Sequence, residues 1–160
     1  MSLTNTQLNE LAKRMGFKLE AVVFKSELKD MKLKHNVPYI CNLENEFTDD
    51  GERNDGSHYT CFQSNKNVNG KVENIYLDSY GAAPPEEVLD FLKVKHVPYN
   101  TKDLQSLTAH TCGWYCASFL YFINAYHNRT KSLYDDAEGF TELFKDLNTS
   151  SDHKYNEFVL

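Results

Sequence analysis

From Cys112 to about His127 the chain reads CGWYCASFLYFINAYH, apolar around nearly the whole of a helical wheel. A helix of that composition has no polar face to offer solvent, so the run predicts a central helix packed on several sides. Everything else in the fold has to surround it. The remaining sequence is therefore read for elements that present one apolar face each.

Near the N-terminus, LTNTQLNELAKRMGF predicts a short amphipathic helix. Thr4 and Gln7 have capping-box spacing, Leu8, Leu11 and Met15 share a face, and Gly16 supplies the stop. AVVFKSEL is a short β-branched run of extended character. FKSELKDMKLKH interleaves lysines with acids and reads as a solvated face. In VPYICNLENEF, Val37, Tyr39, Cys41 and Leu43 alternate with their neighbours as a strand would, and TDDGERNDGS is a surface loop. Two further runs, near 58–63 and 72–79, flank Asn69-Gly70 and predict a β-hairpin.

APPEEVLDFLK changes to a helical period. Pro84 or Pro85 suits the first turn, Glu86 and Glu87 suit its positive end, and Val88, Leu89, Phe91 and Leu92 form the buried stripe. AEGFTELFKDL predicts one more amphipathic helix. The tail, 148–160, is polar with an apolar end and reads equally as a docking strand or a mobile arm. Helices and strands in this order predict a single α+β domain over residues 1–160.

Composition excludes some functions. The 160 residues carry a net charge of −6, which argues against a general nucleic-acid binder. No secretory apolar region and no long apolar span is evident, so a reducing intracellular setting is expected, with Cys41, Cys61, Cys112 and Cys116 as thiols. Cys112 and Cys116 are the only close cysteine pair and no second Cys/His pair lies nearby, so no structural metal is expected.

Cys112 and Gly113 stand at the amino end of the predicted central helix, where unpaired amides and the helix dipole favour a thiolate. A thiolate nucleophile needs a proton shuttle and a group to orient it. His58 opens one strand of the hairpin and Asp78 closes the other, so an antiparallel pairing puts both near one end. Gln105, on the segment leading into the helix, has an amide able to donate to an oxyanion. His110 is close to Cys112 in sequence, but near neighbours along a chain rarely align side chain to side chain, which favours His58 as the base.

Four stretches, GSHYTCF, IYLDSYGAAPPEEVLDFL, NTKDLQS and CGWYCASFL, together resemble the adenovirus-type maturation cysteine proteases, the adenains, relatives of the SUMO-specific proteases. The likeness is greatest to versions carried by virophages, Maverick/Polinton elements and large DNA viruses. It spans roughly residues 5 to 127. The order His, acid, Gln, Cys-Gly matches the family, and VPYICNLEN resembles its strand entering the active site.

The resemblance implies a papain-like fold with a mixed central sheet and the nucleophile at the start of a buried helix. It implies Cys112 as nucleophile, His58 as base and then acid, Asp78 orienting His58, and Gln105 with the Cys112 amide as oxyanion hole. Tyr59 stands where the family has a tryptophan shelf beside the substrate channel, and Trp114 and Gly113 would line the substrate site. No cofactor or metal is implied.

The function that follows is an endopeptidase cleaving viral capsid or core precursors after small residues such as glycine, in the virion and in the host cytoplasm or virus factory. A monomer is expected, with no membrane partner and with an activating peptide as a family possibility. DNA activation is a weaker expectation for so acidic a chain. The rival functions are a deubiquitinase or deSUMOylase, and a catalytically silent capsid adaptor.

Overall fold

The computed structural model describes residues 3–44, 49–52, 58–100, 112–125 and 132–143, together with the backbone of 158–159. Helix α1 (Asn5–Met15) starts at Thr4, whose hydroxyl accepts from the Gln7 N–H while the Gln7 amide oxygen accepts from the Thr4 N–H. It stops at Gly16, which adopts the left-handed conformation (φ +84°) that a Cβ disfavours. Strand β1 (Ala21–Phe24) passes directly into a 3-10 helix, Lys25–Asp30, with the Glu27 carboxylate accepting from the Phe24 N–H.

Strand β2 (Val37–Asn42) is followed by the hairpin of β3 (Tyr59–Lys66) and β4 (Val72–Leu77), and then by helix α2 (Glu86–Leu92). A two-residue strand β5 (Tyr99–Asn100), helices α3 (Cys112–Ala125) and α4 (Leu133–Glu142), and strand β6 (Phe158–Val159) complete the described elements. The six strands lie in the order in which they occur along the chain. Pairing is parallel between β1 and β2 and between β4 and β5, and antiparallel elsewhere. Parallel neighbours need a crossover, and α2 lies within the β4–β5 connection. The fold is thus α+β with a mixed sheet.

Both faces of this sheet are covered. Ile40, Cys61, Ile75 and Leu77 meet Leu8 of α1, the apolar side of α3, and Leu133, Ala137 and Phe140 of α4. Val23, Tyr39, Cys41, Phe62 and Tyr76 meet Leu28, Val88, Phe91 and Leu92 on the opposite face. The Tyr39 and Phe62 rings stack at 5.2 Å, and Phe91 meets each of them edge-on. Double coverage explains why β2 and β3 are buried at nearly every position instead of at alternate ones.

Three sequence expectations change in detail. Helix α4 begins at Leu133, four residues before the predicted start, because Ser132 and Asp135 form a capping box there. The tail docks, since β6 pairs with β5 in the register Tyr99↔Val159 and Asn100↔Phe158. Residues 25–33 are not merely a solvated face: Leu28 is 2% exposed and packs against α2. Among the described residues, no helix is long and apolar enough to cross a membrane.

Helix α3 packs on β3 and is met at its amino end by α1. Leu8 is fully buried, and a Cβ added to Gly113 would lie 3.2 Å from its Cδ2, so the two chains touch there. Leu8→Ala is expected to cost about 3 kcal/mol through lost transfer energy and a residual cavity. Urea unfolding of the two proteins measures this as a lowered midpoint at unchanged slope.

Candidate active site

The site lies where β2, β3 and β4 end beside the first turn of α3. His58 immediately precedes β3, and its carbonyl accepts from the Leu43 N–H at 3.0 Å, tying it to the end of β2. Asp78 immediately follows β4. Its backbone carbonyl accepts from the Gly81 N–H at 2.8 Å, and its Oδ1 accepts from the Tyr80 N–H at 2.8 Å. Gly81 takes φ +78°, a conformation that suits glycine and lets the chain turn at once after the carboxylate.

That turn aims Asp78 at the histidine. His58 Nε2 donates to Asp78 Oδ1 at 2.8 Å, and the carboxylate side chain is 1% exposed. The Tyr80 ring stacks on the imidazole at 4.7 Å between centroids and 24° between planes. With Nε2 taken by Asp78, Nδ1 is the nitrogen left for a reacting partner. It is buried and makes no fully formed hydrogen bond among the described residues.

Cys112 supplies that partner. It is the first residue of α3, its thiol is almost wholly buried, and its Sγ accepts from the Tyr59 N–H at 3.3 Å. Burial opposes the thiolate most strongly. The interaction with His58, the Tyr59 and Gly113 amides and the positive imidazolium outweigh it, holding the thiol below its ordinary pKa. For His58 burial is again the largest single influence and disfavours the cation. The bonds to Asp78 and Cys112 and their negative charges prevail, raising it to about 9. The two shifts point the same way, each favouring a proton on the imidazole over one on the sulfur.

The other thiols behave differently. Burial pushes Cys41 up to about 12 and Cys116 well above the usual range. None of the four cysteines forms a disulfide.

The structure therefore brings together His58, Asp78 and Cys112, although His58 and Asp78 lie 20 residues apart and Cys112 lies far beyond both along the chain. Gln105 and His110 lie outside the described residues. Trp114, on the first turn of α3, is 44% exposed. Gly113 is buried against Leu8 and Leu3, so its part is close packing and an amide facing the sulfur, not a lining surface.

Tyr59 does not form the expected shelf. Its ring is 2% exposed, packed with the α3 cluster, and its hydroxyl donates to Asn5 Oδ1 of α1 at 2.7 Å. Strand alternation is the reason: with His58 at the sheet end facing Asp78, the next side chain turns inward. The aromatic face against the histidine belongs to Tyr80.

Asn100 is the residue that sequence reasoning missed altogether. It is fully buried in β5, its Oδ1 accepts from the Asp78 N–H at 3.0 Å, and its Nδ2 donates to the Asp78 carbonyl. One amide thus grips both backbone groups of the residue that orients His58. No local signal marks it, since a lone Asn in a two-residue strand has no pattern. Tyr80 carried a weak signal in its place two residues after Asp78.

No protein-family model matches the chain, and a search of curated proteins finds no significant relative.

Cys112 should react with iodoacetamide near neutral pH while Cys41 and Cys116 stay silent. The midpoint of its pH–rate curve should fall below the ordinary thiol value of about 8.5. His58→Ala removes the compensating cation and leaves the burial penalty, so the midpoint should rise to that value or above. Asn100→Ala leaves the buried Asp78 N–H without a partner and its carbonyl with Gly81 alone, at a cost of about 2 kcal/mol. It should also raise the Cys112 midpoint, which a purely structural asparagine would not do.

Proposed function

We propose that this chain is a cysteine endopeptidase of the adenain type, with a papain-like fold, that cleaves viral capsid or core precursor proteins as particles mature. The observation that carries this reading is the line from thiol to imidazole to carboxylate, Cys112, His58 and Asp78, with the thiol shifted down and the imidazole up. The packing of α3 on β3 supports the papain-like arrangement, in which a helix delivers the nucleophile to the sheet end.

The chemistry follows from the charges. The Cys112 thiolate attacks the scissile carbonyl, and the developing oxyanion is met by amide donors at the start of α3. Gln105 is assigned a second donor by the family resemblance. His58, already protonated, gives its proton to the leaving amine as the C–N bond breaks, leaving a thioester on Cys112. Neutral His58 then takes a proton from water as that water attacks the thioester. The acid product leaves and the thiolate–imidazolium pair is restored. Asp78 keeps the ring in the tautomer and orientation both steps need, without itself taking the proton. Trp114, two residues after Cys112, is an exposed aromatic residue to which the family resemblance assigns a substrate-lining part.

Small residues such as glycine before the scissile bond are the expected preference, and the virion and virus factory the expected setting. Fragments of candidate precursors identified by mass spectrometry provide the test. Wild type should generate discrete fragments, and both Cys112→Ala and His58→Ala should lose activity by a factor on the order of 10^3 or more, because the pair acts as one unit. Asp78→Asn should retain measurable turnover. Equal processing by the Cys112 variant overturns the reading. Faster release from ubiquitin or SUMO reporters would reassign the substrate, and slow uniform labelling of all four thiols would leave a silent adaptor.

A further inference from the structure

The lysine-rich segment left unused by the chemistry forms one wall of a groove of about 640 Å³ between the 3-10 helix and α2. Leu28, Met31, Leu33 and Phe91 give it an apolar floor, and Lys25, Lys29, Lys32 and Lys93 stand around it. Leu28 and Phe91 belong to the cluster on the sheet face opposite Cys112, so the groove is separate from the thiol site. Lys25 pairs with Glu87 at 3.7 Å. Lys29, Lys32 and Lys93 are exposed and have no ion-pair partner among the described residues.

Three unpaired cations around an apolar trough, in a chain of net charge −6, form a local field opposite to that of the molecule. Lys93 strengthens the case. It caps α2 at φ +59°, the left-handed conformation in which glycine is ordinarily preferred, so a lysine stands at the rim at some conformational cost.

We propose that this groove docks an acidic peptide segment of a partner protein, with Leu- or Phe-type side chains entering the trough and carboxylates meeting Lys29, Lys32 and Lys93. The floor distinguishes this occupant from a nucleic acid. A phosphodiester backbone has no apolar group to place on Met31 and Leu33. A peptide can carry both kinds of group, apolar side chains for the floor and carboxylates for the lysines. The docking does not depend on the peptidase reading, since it uses no residue of that site.

The test is fluorescence anisotropy on the full chain at low salt. The probe is a labelled acidic peptide of about twelve residues with Leu or Phe at every third or fourth position. Saturable binding is expected, weakened about tenfold or more in a Lys29→Glu, Lys32→Glu, Lys93→Gly variant. Lys93→Gly relieves the backbone strain, so loss of binding there is not loss of fold. A probe with every Leu and Phe replaced by Ser should bind similarly weakly, as should Leu33→Ser with the parent probe. Unchanged affinity in the charge variant, equal binding of the Ser probe, or absence of saturable binding overturns the proposal. Tighter binding of an oligonucleotide of equal charge overturns it in favour of nucleic acid.

Discussion

The antiparallel register of β3 on β4 is the constraint from which the site follows. Cys61 faces Leu77 across the ladder, so the first residue before β3 and the first after β4 emerge at the same end of the sheet. Those residues are His58 and Asp78. A shift of one residue in either strand would turn the apolar side chains of β3 to the wrong helical layer and part the imidazole from the carboxylate. Burial on both sides resists such slippage. Cys61 and Ile75 are committed to the α3 layer, while Phe62 and Tyr76 are committed to the α2 layer.

A carboxylate as deeply buried as Asp78 has to be given partners, and the turn that follows it is built for that purpose. The Tyr80 N–H and the His58 ring both donate to one oxygen, and Asn100 holds the backbone on either side. The compensation extends outward to Cys112, whose negative charge favours the imidazolium and is favoured by it in return. Each charge therefore strengthens the other, beside the support that Asp78 gives the imidazolium and the backbone amides give the sulfur. Apolar packing keeps water from screening the pair, and the amides of Tyr59 and Gly113 replace part of the hydration that the sulfur loses.

The two layers over the sheet differ in kind. The α1, α3 and α4 layer is a dense apolar core that fixes the amino end of one helix against a strand. The layer made by the 3-10 helix and α2 carries a groove with lysines around it. A sheet covered on both faces allows such a division. It transmits rigidity to the sulfur from one side while presenting a separate surface on the other.

Local pattern alone determined α1 with its capping box and glycine stop, the β3–β4 hairpin around Asn69-Gly70, the acidic start of α2, and the burial of α3. Each is set by contacts within a few residues or by the period of apolar side chains. Residue types and their order along the chain also singled out His58, Asp78 and Cys112. The inward turn of Tyr59, the stacking of Tyr80 on His58, the grip of Asn100 on Asp78 and the trough beneath the lysines were decided only in three dimensions. These depend on which strand lies beside which and on which face each side chain leaves the sheet. Pairing between distant segments sets both, and no short stretch of sequence contains that information.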